Sequence, residues 1–261
     1  MSRTVVVTGG AKGIGLAAVQ RFAAAGDRVI ALGRDAGALS ALSALGRDAG
    51  ALSALAAPVA LDVSAFVCDV TDESAVAETF AAIGAVDVLV NNAGIGESAP
   101  LAGTTLESWT AHLAVNATGP FLCIRAVVPG MRARGGGAII TVASTAGRVG
   151  VPYTSAYTAS KHAVIGLTRA LAAELAGTGV RVNAVCPTFV RTEMTARSVA
   201  NIVTRTGRTE TEAESALAAA APLGRLLEPE EVADAIVYLA SAGAAAISGQ
   251  ALVIDGGGVQ A

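Results

Sequence analysis

Aromatic residues are nearly absent: one Trp, three Tyr and five Phe make up 3% of the 261 residues. Burial must therefore rest on Ala, Val, Leu and Ile, which is how a parallel sheet covered by helices on both faces builds its core. Charge is scarce as well, at 15% of the chain, and a net charge of −3 with a pI near 5.4 excludes the basic stripe that a nucleic-acid partner requires. The three cysteines, Cys68, Cys123 and Cys186, are odd in number, far apart and without metal-ligand spacing. They read as small buried residues in a reducing, cytoplasmic setting. His112 and His162 fall inside helical stretches with no partner at ligand spacing, so both are expected on helix surfaces and no metal site is expected. No uninterrupted apolar run reaches the ~18 residues of a membrane span, and polar Ser2-Arg3 runs directly into a short strand where a signal peptide would need an apolar core. The length suits one α/β domain, 1–261, with a small molecule as its partner.

What is present begins with a β-branched run at 4–8, ending in Thr8, then Gly9, Lys12, Gly13, Ile14 and Gly15, then an amphipathic helix to about residue 25. Strand, glycine turn and helix is the dinucleotide-binding order: glycines let the backbone approach a pyrophosphate, and the helix N-terminus offers it free N–H groups. A second strand at 28–32 ends in Gly33-Arg34-Asp35. An acid at that tip would accept from the ribose hydroxyls, whereas Arg34 suits a 2′-phosphate, so NADP(H) is expected over NAD(H). In the alternative, Arg34 is a solvated loop charge and Asp35 faces the ribose. Residues 31–43 recur almost unchanged at 44–56, a tandem copy too short for a domain repeat. The copy reads as an insertion in the first crossover. Thirteen residues of unbroken helix would turn the apolar stripe off the sheet, and Gly46 and Gly50 weaken a helix, so two helical pieces hinged at 46–50 are expected.

Further strands are expected at 64–68, 86–90, 138–143, 180–186 and 252–254, with helices at 72–83, 106–132, 155–176 and from Pro229 to about residue 240. Ser144 follows the strand at 138–143, at the carboxyl end, where open α/β sheets bind ligands. Tyr157 and Lys161 lie four apart on a helix and share a face, so the ammonium can stabilise a phenolate and lower the phenol pKa. A Tyr and Lys at this spacing are by themselves most often a solvated face.

Tyr157-x-x-x-Lys161 with Ser144 thirteen residues upstream, the Thr8-Gly9-x-x-x-Gly13-x-Gly15 turn, Asn91-Asn92-Ala93-Gly94, Asn116 in Val-Asn-Ala-Thr-Gly and the closing Asp255-Gly-Gly resemble the short-chain dehydrogenase/reductase family, motif by motif and in order. The resemblance implies one doubly wound Rossmann domain with seven parallel strands in the order 3-2-1-4-5-6-7, a homotetramer, and, at the position of Lys12, the basic residue of NADP-dependent members. It implies hydride transfer between NADP(H) and a ketone or secondary alcohol, with Ser144 holding the carbonyl oxygen, Tyr157 as acid or base, Lys161 lowering the tyrosine pKa and holding the nicotinamide ribose, and Asn116 fixing a water that serves Lys161. It places Asp69 and Val70 at the adenine, Asn91, Ala93 and Gly94 along the cofactor, and Pro187, Thr188, Val190 and Thr192 beside the nicotinamide. Thr188 stands where the family commonly has Gly. The region 191–221 corresponds to the substrate lid, with Arg191, Arg197, Arg205 and Arg208 ahead of Glu210, Glu212 and Glu214. An apolar lid with a basic first half would cover an acyl chain and meet a coenzyme A or carrier-protein thioester; the alternative is a solvated helix pair. The run 157–187 looks like ketoreductases of fatty-acid and polyketide type, which favours a 3-oxoacyl thioester or polyketide-like ketone. An alcohol, diol or steroid dehydrogenase is the second reading, and a non-catalytic cofactor-binding regulator the third.

Overall fold

A computed structural model describes residues 2–47, 62–219 and 221–260. Its centre is a seven-stranded parallel sheet in the order β3-β2-β1-β4-β5-β6-β7, formed by β1 (Thr4–Thr8), β2 (Arg28–Gly33), β3 (Val63–Val67), β4 (Val88–Asn91), β5 (Gly137–Val142), β6 (Val180–Pro187) and β7 (Ala251–Ile254). The central strands are apolar on both faces because helices cover both, and Val5, Val6, Val7, Leu89, Ile139 and Ile140 are all solvent-free. One layer contains α1 (Gly13–Ala24) and α9 (Pro229–Ala240), with Phe22 and Ile236 in its core. The other side holds α3 (Glu73–Ile83) beneath the helix that includes Asn116, with Phe80, Leu122 and Met131 packed on the sheet.

Strand and helix ends fall within a few residues of the sequence expectation, and the larger differences are local. The helix after β2, α2 (Ala36–Arg47), includes Gly46, and the rest of the expected hinge at 46–50 lies outside the described residues. Leu39 and Leu42 seat this helix in the core beside the sheet. Residues 48–56 of the tandem copy lie outside the described residues. The helix expected at 106–132 is three segments: α4 (Leu106–Leu113), a π turn at Ala114–Thr118 and α5 (Gly119–Ala133). Taken together, Leu106–Ala133 is long and apolar enough to cross a membrane by length and composition, yet Leu122, Cys123, Ile124, Val127 and Met131 are buried against the sheet, as in a core helix.

The amino edge of the sheet is tied by cations. Arg3 grips both oxygens of Asp27 and donates to Ala240 O at 2.8 Å, while Arg181 donates to Leu239 O at 2.7 Å and Arg134 to Val86 O. The loops after β1, β4, β5 and β6 meet at the opposite, carboxyl edge, around one cavity.

Candidate active site

The glycine turn after β1 is shaped by contact as well as by conformation. A Cβ on Gly15 would stand 2.2 Å from Gly9 O and 2.5 Å from Asn92 Nδ2, so the start of α1 can press against the turn only with glycine there. Asn92 holds that turn, donating to Thr8 O at 3.0 Å and Gly9 O at 3.1 Å, and Thr8 Oγ1 accepts from the N–H groups of Asn92 and Ala93. Asn91, 2% exposed at the end of β4, has no hydrogen-bond partner for either side-chain atom among the described residues. A turn that tolerates no Cβ, free N–H groups at α1 and an orphaned buried amide together fit a dinucleotide.

A cavity of about 390 Å³ opens beside this turn. Gly9, Lys12, Gly13, Ile14, Ala93 and Gly94 line it, as do Ser144, Tyr157 and Lys161, and Pro187, Thr188, Val190 and Thr192 together with the first turns of α7 (Glu193–Thr206), while α8 (Glu210–Ala219) lines none of it. Of the other expected cofactor residues, Thr8 and Gly15 shape the turn from behind, and Val70 packs where a Cβ on Gly119 would come within 2.8 Å. Arg34 is largely exposed, 3.9 Å from Asp69 Oδ2, and Asp69 also accepts from the N–H and hydroxyl of Thr71. Asp35 spends Oδ1 on Ala38 N at 3.0 Å as a cap of α2 and lies 3.5 Å from Lys12 Nζ, which is equally close to Glu193. Thr188 donates its N–H to Ile254 O at 3.1 Å, joining β6 to β7 at the cavity wall.

Ser144, Tyr157, Lys161 and Asn116 converge from three elements. Ser144 follows β5, its hydroxyl accepting from Ala146 N at 3.1 Å and lying close enough to Tyr157 on α6 (Ser155–Glu174) to lower the phenol pKa. One turn on, Lys161 is buried, with Nζ donating to Val142 O at 2.9 Å and lying 5.6 Å from the Tyr157 ring centroid. Burial pushes the Lys161 ammonium down to about 8. Burial also holds the Tyr157 phenol above its usual value, and the Ser144 hydrogen bond offsets this only in part. The expected lowering of the tyrosine pKa is thus absent from the protein alone, because desolvation of the phenolate is the largest contribution. Beside them Cys186 is a neutral thiol, its pKa raised to about 11 by burial.

Asn116 sits in the π turn, a distortion common at functional sites. Its Oδ1 accepts from Ile95 N, and Nδ2 donates to Ile95 O and Ser160 Oγ, each at 2.9 Å. Both amide protons are spent, so a water serving Lys161 would have the second lone pair of Oδ1. A Cβ on Gly94 would stand 3.2 Å from that oxygen and 3.6 Å from Lys161 Nζ, which places both groups around Gly94.

His112 is a correction. It was expected at a helix surface but is 1% exposed, with Nδ1 2.7 Å from Ser108 O and Nε2 accepting from Glu97 N at 3.1 Å. His162 is exposed as expected. Asn92, Ser160, Glu193 and Met194 also belong to the site without having been expected there. Asn92 and Ser160 lie inside the recognised motifs; nothing local in the sequence marks Glu193 or Met194. Among the described residues no group of three His, Cys, Asp or Glu side chains is placed to hold a metal.

A family model described as enoyl-(acyl carrier protein) reductase matches residues 9–258. The chain belongs to the short-chain dehydrogenase/reductase family. It is 40% identical to 2-(R)-hydroxypropyl-CoM dehydrogenase of Xanthobacter autotrophicus over 98% of each chain. It is 42% identical to the monensin polyketide synthase putative ketoacyl reductase of Streptomyces virginiae, over 98% of this chain and 97% of that one. A solved structure of actinorhodin polyketide ketoreductase with NADPH, 37% identical, superposes with a TM-score of 0.92 over 100% of this chain and 98% of the other. Like its family, the chain is an NAD(P)-dependent oxidoreductase.

Proposed function

We propose that this enzyme transfers a hydride between NADP(H) and a ketone or secondary alcohol, and that its substrate is a 3-oxoacyl thioester or polyketide-like ketone. The observation that carries the reading is the meeting of Ser144, Tyr157 and Lys161 in one cavity whose surface is otherwise mainly apolar. Gly9, Gly13 and Ile14 would hold the pyrophosphate, Lys12 and Arg34 the 2′-phosphate, Asp69 and Val70 the adenine, and Lys161 the nicotinamide ribose. Asp35 engaged as a helix cap supports the phosphate over the bare ribose, since its carboxylate is already committed. The bound nicotinamide supplies or takes the hydride.

In reduction, the Ser144 hydroxyl donates to the substrate carbonyl and fixes it beside Tyr157. As the carbonyl carbon gains the hydride, its oxygen takes the Tyr157 phenolic proton, and the C=O π bond becomes a C–O–H single bond. A phenol held above its usual pKa is fully protonated at neutral pH and so ready to donate. Lys161 stabilises the phenolate left behind, and its own pKa near 8 lets it return a proton. The ketoacyl reductases among the relatives support the acyl substrate, as does the mainly apolar surface of the cavity, to which α7 contributes Met194. Of the lid arginines, Arg197 lines the cavity, whereas Arg191 is paired with Glu214 and Glu228. A cytoplasmic homotetramer completes the proposal.

Tyr157→Phe keeps the ring and removes the proton, so kcat should fall at least ~10²-fold with NADPH affinity retained. Tyr153→Phe, on a side chain 67% exposed, should keep its activity. A Tyr157→Phe enzyme with most of its turnover would refute the mechanism.

A further inference from the structure

The segment after β4 lines the cavity with Gly96, Glu97 and Ser98, and α4 and the π turn that follows it hold this segment at two points. Asn116 engages both the N–H and the carbonyl of Ile95, and His112, one turn earlier, engages the N–H of Glu97. Between them lies Gly96, packed so tightly that a Cβ would stand 3.3 Å from Tyr157 Cε2 and 3.1 Å from Met194 Sδ. The His112 ring also meets the Tyr157 ring edge-on, with centroids 6.4 Å apart and planes at 82°.

The hydrogen bonds fix the state of His112. Ser108 O can only accept, so the proton is on Nδ1; Glu97 N–H can only donate, so Nε2 carries the lone pair. Only the neutral Nδ1–H tautomer satisfies both, because a proton on Nε2 would face the Glu97 N–H. The same ring therefore braces the wall through an acceptor and the catalytic tyrosine through its edge.

Resting on the reading of Tyr157 as the proton donor, we propose that His112 is a positioning residue: as a neutral acceptor for Glu97 N–H it sets the 95–97 wall against Tyr157 and so aligns the phenol with the substrate carbonyl. It touches neither substrate nor cofactor. Misplacement of a reacting group by about 1 Å costs on the order of 10²-fold in rate, so loss of the brace should appear in kcat.

The test compares His112→Phe, which keeps an aromatic edge without an acceptor, with His112→Gln, whose side-chain carbonyl can accept from Glu97 N–H. Each is assayed for NADPH-dependent ketone reduction per folded enzyme, with thermal midpoints measured alongside, and His112→Met replaces the Phe variant if that does not fold. The acceptor-free variant should lose tenfold or more in kcat with its NADPH KM within about twofold, and the Gln variant should stay within about threefold of the parent. Unchanged kcat in the acceptor-free variant with only a lowered thermal midpoint, or a Gln variant as damaged as Phe, would overturn the proposal. Tyr157→Phe is assayed in parallel: if it keeps its turnover, the reading of the site fails, whereas its loss beside an unaffected acceptor-free His112 variant refutes the brace alone.

Discussion

Replacing Lys161 with Met should abolish turnover and yet make the cofactor-free protein more stable at neutral pH. The ammonium is 5% exposed, and its fall from an ordinary 10.5 to about 8 means that the native state disfavours the charged form by on the order of 3 kcal/mol. Met fills much of the same volume without a charge. It loses the bond from Nζ to Val142 O, at about 1–2 kcal/mol for a buried carbonyl left without its donor, so the net gain at pH 7 is about 1–2 kcal/mol. Between pH 8 and 10.5 the unfolded chain binds a proton at this site that the native state has released, so the parent's stability rises with pH through that window. The variant has no such rise. Urea unfolding at pH 7, 8, 9 and 10, at fixed protein concentration and without cofactor, should show the variant ahead at pH 7, the curves crossing near pH 9 and the parent ahead above. A stability difference independent of pH would refute the reasoning, because it would mean that Lys161 carries no desolvation penalty.

Arg34→Ala should reduce the preference for NADPH over NADH in kcat/KM by about 10- to 100-fold, or ~1.5–3 kcal/mol, the scale of a charge-assisted hydrogen bond; equal use of the two cofactors by the parent enzyme would overturn the 2′-phosphate assignment. Gly15→Ala forces a methyl group to 2.2 Å from Gly9 O, so the thermal midpoint should drop by an amount equivalent to about 1–3 kcal/mol and NADPH titration should show at least tenfold weaker binding. Deleting 44–56 should leave kcat and NADPH affinity within a few-fold, since loop-closure entropy changes slowly with length; loss of either would place the second copy in the site.

The nucleotide turn was legible because its requirements are local: a strand, glycines where side chains cannot fit, then a helix. The strands were legible because a doubly covered parallel strand is an apolar run, and their ends shifted by a residue or two where the next residue could still pair. His112 was not legible, because its burial depends on Glu97 and Tyr157 arriving from two other elements, and a helical pattern says nothing of a loop laid across it. The π turn at Asn116 was hidden for the same reason: its distortion accompanies side-chain bonds to Ile95 and Ser160, both distant in sequence. The direction of the Tyr157 shift was not legible, because the spacing to Lys161 reveals a nearby cation and nothing of the burial that raises the phenol pKa.

The ties of Arg3, Arg134 and Arg181 along the amino edge divide the molecule into a foundation and a workface. Their partners are Asp27, Asp87 and main-chain carbonyls, none of which lines the cavity. Sequence drift in the loops at the carboxyl edge can therefore explore new substrates while the opposite edge keeps the strands in register. That separation is what an engineer would exploit: variants at the foundation belong in a screen for expression and heat tolerance, and diversity aimed at selectivity belongs in 95–99 and 191–221.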